Sequence, residues 1–231
     1  NVSAPATLIV LSGFPCCINE SPPTETDGPP GALAIARAGQ ELGYRVIVVT
    51  DDCNGLVFQA ACQDKFELQT FPATFSKDDE DTFQKLAESC TLLIACERAG
   101  PGPDGKCRTM RGIDMEGLVA PLHRFRDECQ APFLAVGDGG NELGMGSVIE
   151  NIRRHIPLGD TIGCVVSADH VIAASVSNWG GYALAAAAAL VRADETDVEL
   201  WLERCLPTRN DEIELLNRCV AAGCRDGVSG K

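Results

Sequence analysis

Six strand-like runs punctuate the chain, apolar throughout rather than on alternate residues except for a weaker third, and each gives way quickly to polar or glycine-rich sequence. Residues 6–13 (ATLIVLSG), 44–52 (YRVIVVTDD), 65–71 (KFELQTF), 91–100 (TLLIACERAG), 132–140 (PFLAVGDGG) and 161–169 (TIGCVVSAD) are therefore predicted strands. Between them, helices are predicted at 31–43, opened by Pro29 and Pro30 and ended by Gly43, at 54–63 with Asn54 as its cap, at 76–90, at 114–130 despite Pro121, and at 147–156. The C-terminal part is helical, with segments at 178–193, 197–205 and 211–223. Strands that alternate with helices and bury both faces predict a Rossmann-like α/β three-layer sandwich: a mostly parallel sheet with helices on both faces and a helical C-terminal segment. No internal repeat or long linker divides residues 1–231, so a single domain is expected.

Composition narrows the partners. With 45% hydrophobic residues the chain can bury a sizeable core, and 33 acidic against 19 basic residues leave a formal charge of −14. That charge repels phosphate backbones and anionic membranes, which excludes nucleic acid and membrane surfaces as expected partners. The longest uncharged apolar run, 179–191, falls short of the roughly 18 residues a membrane helix needs. Twelve cysteines suggest a disulfide scaffold until their spacing is considered. Cys16 and Cys17 are adjacent, no CxxC occurs, and Cys90, Cys96 and Cys164 sit in or beside apolar runs, so reduced thiols are expected. The sequons at Asn1 and Asn19 argue the other way, but such triplets recur by chance. Beginning at Asn1 without methionine, the chain reads as an excised piece of a longer protein.

In an open parallel sheet, ligands bind beyond the carboxyl ends of the strands. The segment GDGGNELGMG (137–146) falls at such an end and sets Asp138, Asn141 and Glu142 among Gly139 and Gly140. It can serve a turn alone or admit a ligand to the backbone. Neither GxGxxG in a first strand-helix turn nor GxxxxGK[ST] occurs, so no nicotinamide, flavin or ATP is expected. Gly13 and Asp27 lie in the loop after the first strand, and Gly31 opens a helix whose amino terminus suits an anion or merely starts rigidly. Asp51 and Asp52 read as helix caps. Glu97 and Arg98 read either as a surface ion pair or as site residues, and Arg111 and Asp114 as solvated charges or ligand contacts. His123 and His155 are expected to be structural or exposed. His170, beside Asp169, is a general acid or base or a cap, and Asn178 a cap, a ligand contact, or both. No HxxxH or Cys/His cluster offers zinc a site. Asp27, Asp138, Glu142 and Asp169 could together hold a hard divalent ion such as magnesium or manganese.

SGFPC, PPTETDGPPGALAIARA, CERAG, MRGID, GDGGNELGMG, SADHVIAASVSNWGGYAL and DGVSG together resemble the C-terminal domain of the D-glutamate cyclase family, over nearly the whole chain. The resemblance implies conversion of D-glutamate to 5-oxo-D-proline with loss of water, in the mitochondrial matrix, by a protein with a further, hydro-lyase-like N-terminal domain in the same polypeptide. For that reaction the candidate catalytic groups are Asp138, Asn141, Glu142 and His170. Asp138 or Glu142 would accept the amine proton, the 139–146 amides with Asn141 would hold the oxyanion, and His170 would be a spare acid. A divalent cation on Asp138 and Glu142 is the alternative to that acid. The candidate substrate contacts are Gly13, Asp27, Gly31, Glu97, Arg98, Arg111, Gly139, Gly140 and Asn178, with Arg98, Arg111 or the helix start at Gly31 clamping the α-carboxylate. A non-catalytic ligand-binding domain that regulates its neighbour would need the same loops, and the residues leave both readings open.

Overall fold

A computed structural model describes residues 6–230, so the Asn1 sequon lies outside the described residues, while Asn19 is exposed in a loop. Strands β1 (Thr7–Gly13), β2 (Arg45–Asp51), β3 (Glu67–Phe71), β4 (Cys90–Arg98), β5 (Phe133–Gly137) and β6 (His170–Ala173) form one sheet in the order β3-β2-β1-β4-β5-β6. All its pairings are parallel. The chain winds outward from β1 to one edge, returns to β4 and winds to the other. The switch point therefore lies between β1 and β4, where a crevice opens at the carboxyl edge.

Two buried layers explain why the strands are apolar on both sides. On one face α1 (Pro29–Glu41), α2 (Gly55–Cys62) and α7 (Ser177–Arg192) cover Leu8, Val10, Val46, Val48 and Ile94, with α8 (Val198–Cys205) and α9 (Arg209–Ala221) outside them. On the other, α3 (Lys77–Ser89) and α4 (Phe125–Glu128) bring Phe83 and Phe125 onto Ile9, Leu11, Ile47, Val49 and Leu93. Each such side chain contributes on the order of 1.5–3 kcal/mol when fully buried. The remaining helices, α5 (Ile149–His155) and α6 (Gly159–Ile162), pack Ile152 against Met145 and Cys164. No described helix is long and apolar enough to cross a membrane. All twelve cysteines are free thiols, eight of them buried.

The local expectations need three corrections. Residues 161–169 are not the sixth strand: the Gly146 N–H donates to Val166 O, and the Cys164 and Ala168 N–H groups donate to Gly140 O and Gly144 O. This apolar stretch thus lines the glycine-rich segment, and β6 begins only at His170. The helix expected at 114–130 shrinks to a 3-10 turn at Leu122–Arg124 and α4, because Gly117 has φ +79° and Pro121 interrupts. Asn54 does not cap α2, since its side chain is engaged elsewhere.

Candidate active site

At the switch point β1 and β4 fall out of step. Ser12 pairs with Cys96 but Gly13 with Arg98, which leaves Glu97 as the extra residue of a β-bulge, with φ +47°. A non-glycine residue held there costs on the order of 1–3 kcal/mol and persists only where its surroundings fix it. The bulge redirects two side chains. In a regular strand Glu97 would share the face of Ala95, and Arg98 that of Cys96. Instead Glu97 accepts a hydrogen bond from Ser177 Oγ on the α7 side, and Arg98 crosses to the α4 side.

Arg98 meets a partner there. Its guanidinium pairs with Asp51, both side chains being wholly buried, and Nη2 donates to Ala120 O at 2.8 Å. Asp51 also accepts the Ala120 N–H at 2.6 Å and Asn54 Nδ2 at 2.9 Å, and Asn54 Oδ1 accepts from Thr24 Oγ1 at 2.6 Å. Asp51 is thus the anchor of a closed network rather than a helix cap, and Asp52 is exposed and caps nothing with its side chain. Arg98, expected as a carboxylate clamp, faces away from the crevice. Gly13 turns β1 into this network at φ +105°, where a Cβ would lie 2.5 Å from Thr50 Oγ1.

The other side of the bulge holds only acid. Glu25, Asp27, Asp138 and Glu142 gather around Glu97, which is 4% exposed, and burial foremost, then Glu142 and Glu25, pushes Glu97 well above the carboxylate range. Glu25, half-buried, is pushed up to about 8 by burial and then by Asp27. Asp138 stands at the mouth and is also pushed up to about 8, first by the desolvating walls of the crevice and then by Glu142. Among the described residues no lysine, arginine or histidine forms an ion pair with any of the five. Asp27, Glu97 and Asp138 each offer one oxygen, and the three lie within 4.8 Å of one another, an arrangement able to hold a metal ion.

Two helices start at this cluster and cap each other. The Asp27 carboxylate, just ahead of α1, accepts the Ser177 and Asn178 N–H groups that open α7, at 2.9 and 2.7 Å. In return Asn178 Oδ1 accepts the Gly28 and Gly31 N–H groups that open α1, at 3.0 and 2.8 Å. Gly31 and Gly181 allow the crossing: a Cβ on Gly31 would lie 2.8 Å from Asn178 Cα, and one on Gly181 would lie 2.6 Å from Gly31 Cα. Gly31 therefore serves helix contact, and its amide is not free for a substrate carboxylate. Asn178 is a cap, of α1 rather than of its own helix.

The glycine-rich segment is organised by Glu142. Its Oε1 accepts the Asp138 and Gly139 N–H groups at 3.2 and 2.6 Å, and Oε2 accepts that of Gly140 at 2.6 Å. The Leu143 N–H donates to Arg98 O at 2.6 Å and fastens the segment to β4. Of the amides expected to form an oxyanion hole, those of Gly139, Gly140, Leu143, Met145 and Gly146 are engaged within the protein, and Glu142 faces the first two rather than sharing the oxygen triad. Asn141 is buried, and its Nδ2 donates to Arg108 O at 2.7 Å. Met110, whose sulfur would lie 2.7 Å from a Cβ on Gly139, brings its exposed neighbour Arg111 to the rim, where Nη2 donates to Val228 O at 3.2 Å. Asp114 pairs with Lys106 on the surface.

The SADH segment lies elsewhere. His170 pairs with Leu134 at the start of β6, at the amino edge of the sheet, and is exposed. Asp169 pairs with Arg126 at 2.9 Å and accepts the Phe133 N–H at 2.8 Å, so it cannot join a cation site at the opposite edge. Sequence reasoning missed three residues. Glu25 was hidden in a proline-rich loop, two places before Asp27. Ser177, before Asn178, is wholly buried, as is Ser12, whose Oγ has no hydrogen-bond partner.

A doubly wound parallel sheet with an acidic cluster at its switch point defines a Rossmann-like α/β fold, in which the carboxyl edge is the place where ligands bind. The chain belongs to the family described as D-glutamate cyclase-like, C-terminal, which matches residues 1–231. It is 37% identical over 204 residues to the human protein named D-glutamate cyclase, mitochondrial; the match covers 81% of the chain and 33% of that protein. The chain thus spans about a third of the length of that relative.

Proposed function

We propose that the domain binds D-glutamate in the acid-lined crevice and closes it to 5-oxo-D-proline and water. One observation carries the reading: in a chain of this family, five carboxylates gather at the switch point, and none of them is ion-paired to a cationic side chain among the described residues. In the reaction the amine nitrogen bonds the γ-carboxyl carbon and one carbon–oxygen bond breaks. The two protons the ammonium loses leave with that oxygen as water, so a carboxylate that accepts and returns protons suffices. Glu25 is suited to this, because its half-buried carboxylate is pushed up to about 8 and is tied to no backbone amide among the described residues, whereas Glu142 is tied to three. Arg111 at the rim is placed for the α-carboxylate. The relative's name supports a place in the mitochondrion, and its greater length supports a further domain in the same polypeptide.

The test is incubation of the 231-residue chain with D-glutamate, with and without magnesium or manganese, and assay for 5-oxo-D-proline. Product formed in proportion to protein is expected. Saturable D-glutamate binding without product would overturn catalysis in favour of a ligand-binding regulatory domain.

A further inference from the structure

We propose that Asp27, Glu97 and Asp138 form a divalent-cation site of the hard, oxygen-liganded kind that magnesium or manganese fills, and that its cation neutralises the substrate's γ-carboxylate. The second clause rests on the cyclase reading; the first does not. Ligand distances of about 2.0–2.6 Å set coordinating oxygens roughly 3–5 Å apart, and the three oxygens lie within 4.8 Å of one another. Two of the three carboxylates, those of Asp27 and Glu97, are oriented from behind, as ligands of built sites are, and Asp138 is anchored through its backbone. Asp27 is held by the Ser177 and Asn178 amides, Glu97 by the Ser177 hydroxyl, and the Asp138 backbone by Glu142.

An independent observation points to the same place. Ser12 Oγ is wholly buried and has no partner. It lies on the sheet face shared with Cys96, beneath Gly28, where a Cβ would sit 3.2 Å from Ser12 Oγ and 3.1 Å from Glu97 Cβ. A buried hydroxyl without a partner beside Glu97 is the fourth oxygen a hard cation or its bound water would use. The supply of donors leads to the same conclusion. The amides opening α1 and α7 serve Asn178 and Asp27, those of Gly139 and Gly140 serve Glu142, and Arg98 serves Asp51. A substrate carrying two carboxylates meets acceptors at the floor of this crevice, and a cation there reverses the sign of the field it meets.

The experiment is titration of the metal-stripped chain with manganese, followed by electron paramagnetic resonance and calorimetry. One saturable site is expected, weakened at least about tenfold in Glu97→Gln and in Asp138→Asn, weakened in Ser12→Ala, and unchanged in Asp169→Asn. Thermal unfolding without metal checks that each variant folds; manganese should raise the midpoint of the wild type and not that of Glu97→Gln. No saturable binding up to about 1 mM manganese, or equal binding in Glu97→Gln and Asp138→Asn, overturns the site. Full turnover in excess chelator overturns the cation's part in the chemistry and leaves the cyclase reading intact. Manganese binding lost in the variants, without any 5-oxo-D-proline, upholds the site and overturns the cyclase reading instead.

Discussion

Glu97 and Arg98 are sequence neighbours, almost equally buried, and their side chains end in opposite environments. Arg98 sits in a network where its charge is matched by Asp51 and nearly every polar atom has a partner; its Nε and the neighbouring Thr50 Oγ1 are the ones without. Glu97 sits among four further carboxylates and has no ion-pair partner among the described residues. A matched buried pair fixes loops in place, whereas an unmatched cluster of one sign is retained where something else binds. Burial alone does not mark a site. What distinguishes the two sides of the bulge is that one is electrically complete and the other is not.

The comparison is broken most severely by removing one partner from the complete side. Arg98→Met should cost about 3–5 kcal/mol, because Asp51 is left charged and buried; urea denaturation measures it, and a loss under about 1 kcal/mol would deny the network its structural role. On the incomplete side the signs reverse. Glu97→Gln, which removes one of five crowded acids, should leave the metal-free midpoint equal or higher. Glu25→Gln should lower 5-oxo-D-proline turnover by roughly two to four orders of magnitude while KM for D-glutamate stays within a few-fold. A wild-type rate in that variant would remove Glu25 from the mechanism.

A fourth expectation concerns pH in the presence of chelator. Glu25 and Asp138 titrate near 8 in the folded chain, against ordinary values of 4.5 and 3.8. The folded state therefore holds protons the unfolded state has released. The stability is fully present below the unfolded values and is lost as pH rises through about 8. Thermal midpoints should fall over that window, and an upward slope would contradict the assignment. The smallest effects are expected at the amino edge, where His170→Ala and Asp169→Asn should leave turnover within about twofold and stability within about 1 kcal/mol.

Much of this fold is legible in the sequence, because strands buried on both faces and separated by helices have few other arrangements. Residues 161–169 mislead for a physical reason: an apolar stretch that pairs with glycine carbonyls looks the same as one that pairs with a strand. That error also carried Asp169 and His170 to the wrong edge. The candidate site was legible as a set of loops and not as a set of roles. One inserted residue at Glu97 decides which way two charges point, and no periodicity reveals it. Glu142 and Asn178 lie among the gathered residues, but their partners are backbone amides whose positions depend on contacts distant in sequence.

The exchange of caps between Asp27 and Asn178 joins residues 151 positions apart in the chain. A truncated or spliced form ending at Ala173 would contain all six strands yet lack Ser177 and Asn178 together with α7, α8 and α9, so it would lose the crevice and much of the cover of one sheet face at once. Inheritance must act on the two ends together: a substitution at Asp27 loosens α7, one at Asn178 loosens α1, and compensation for either has to come from the opposite end of the sequence.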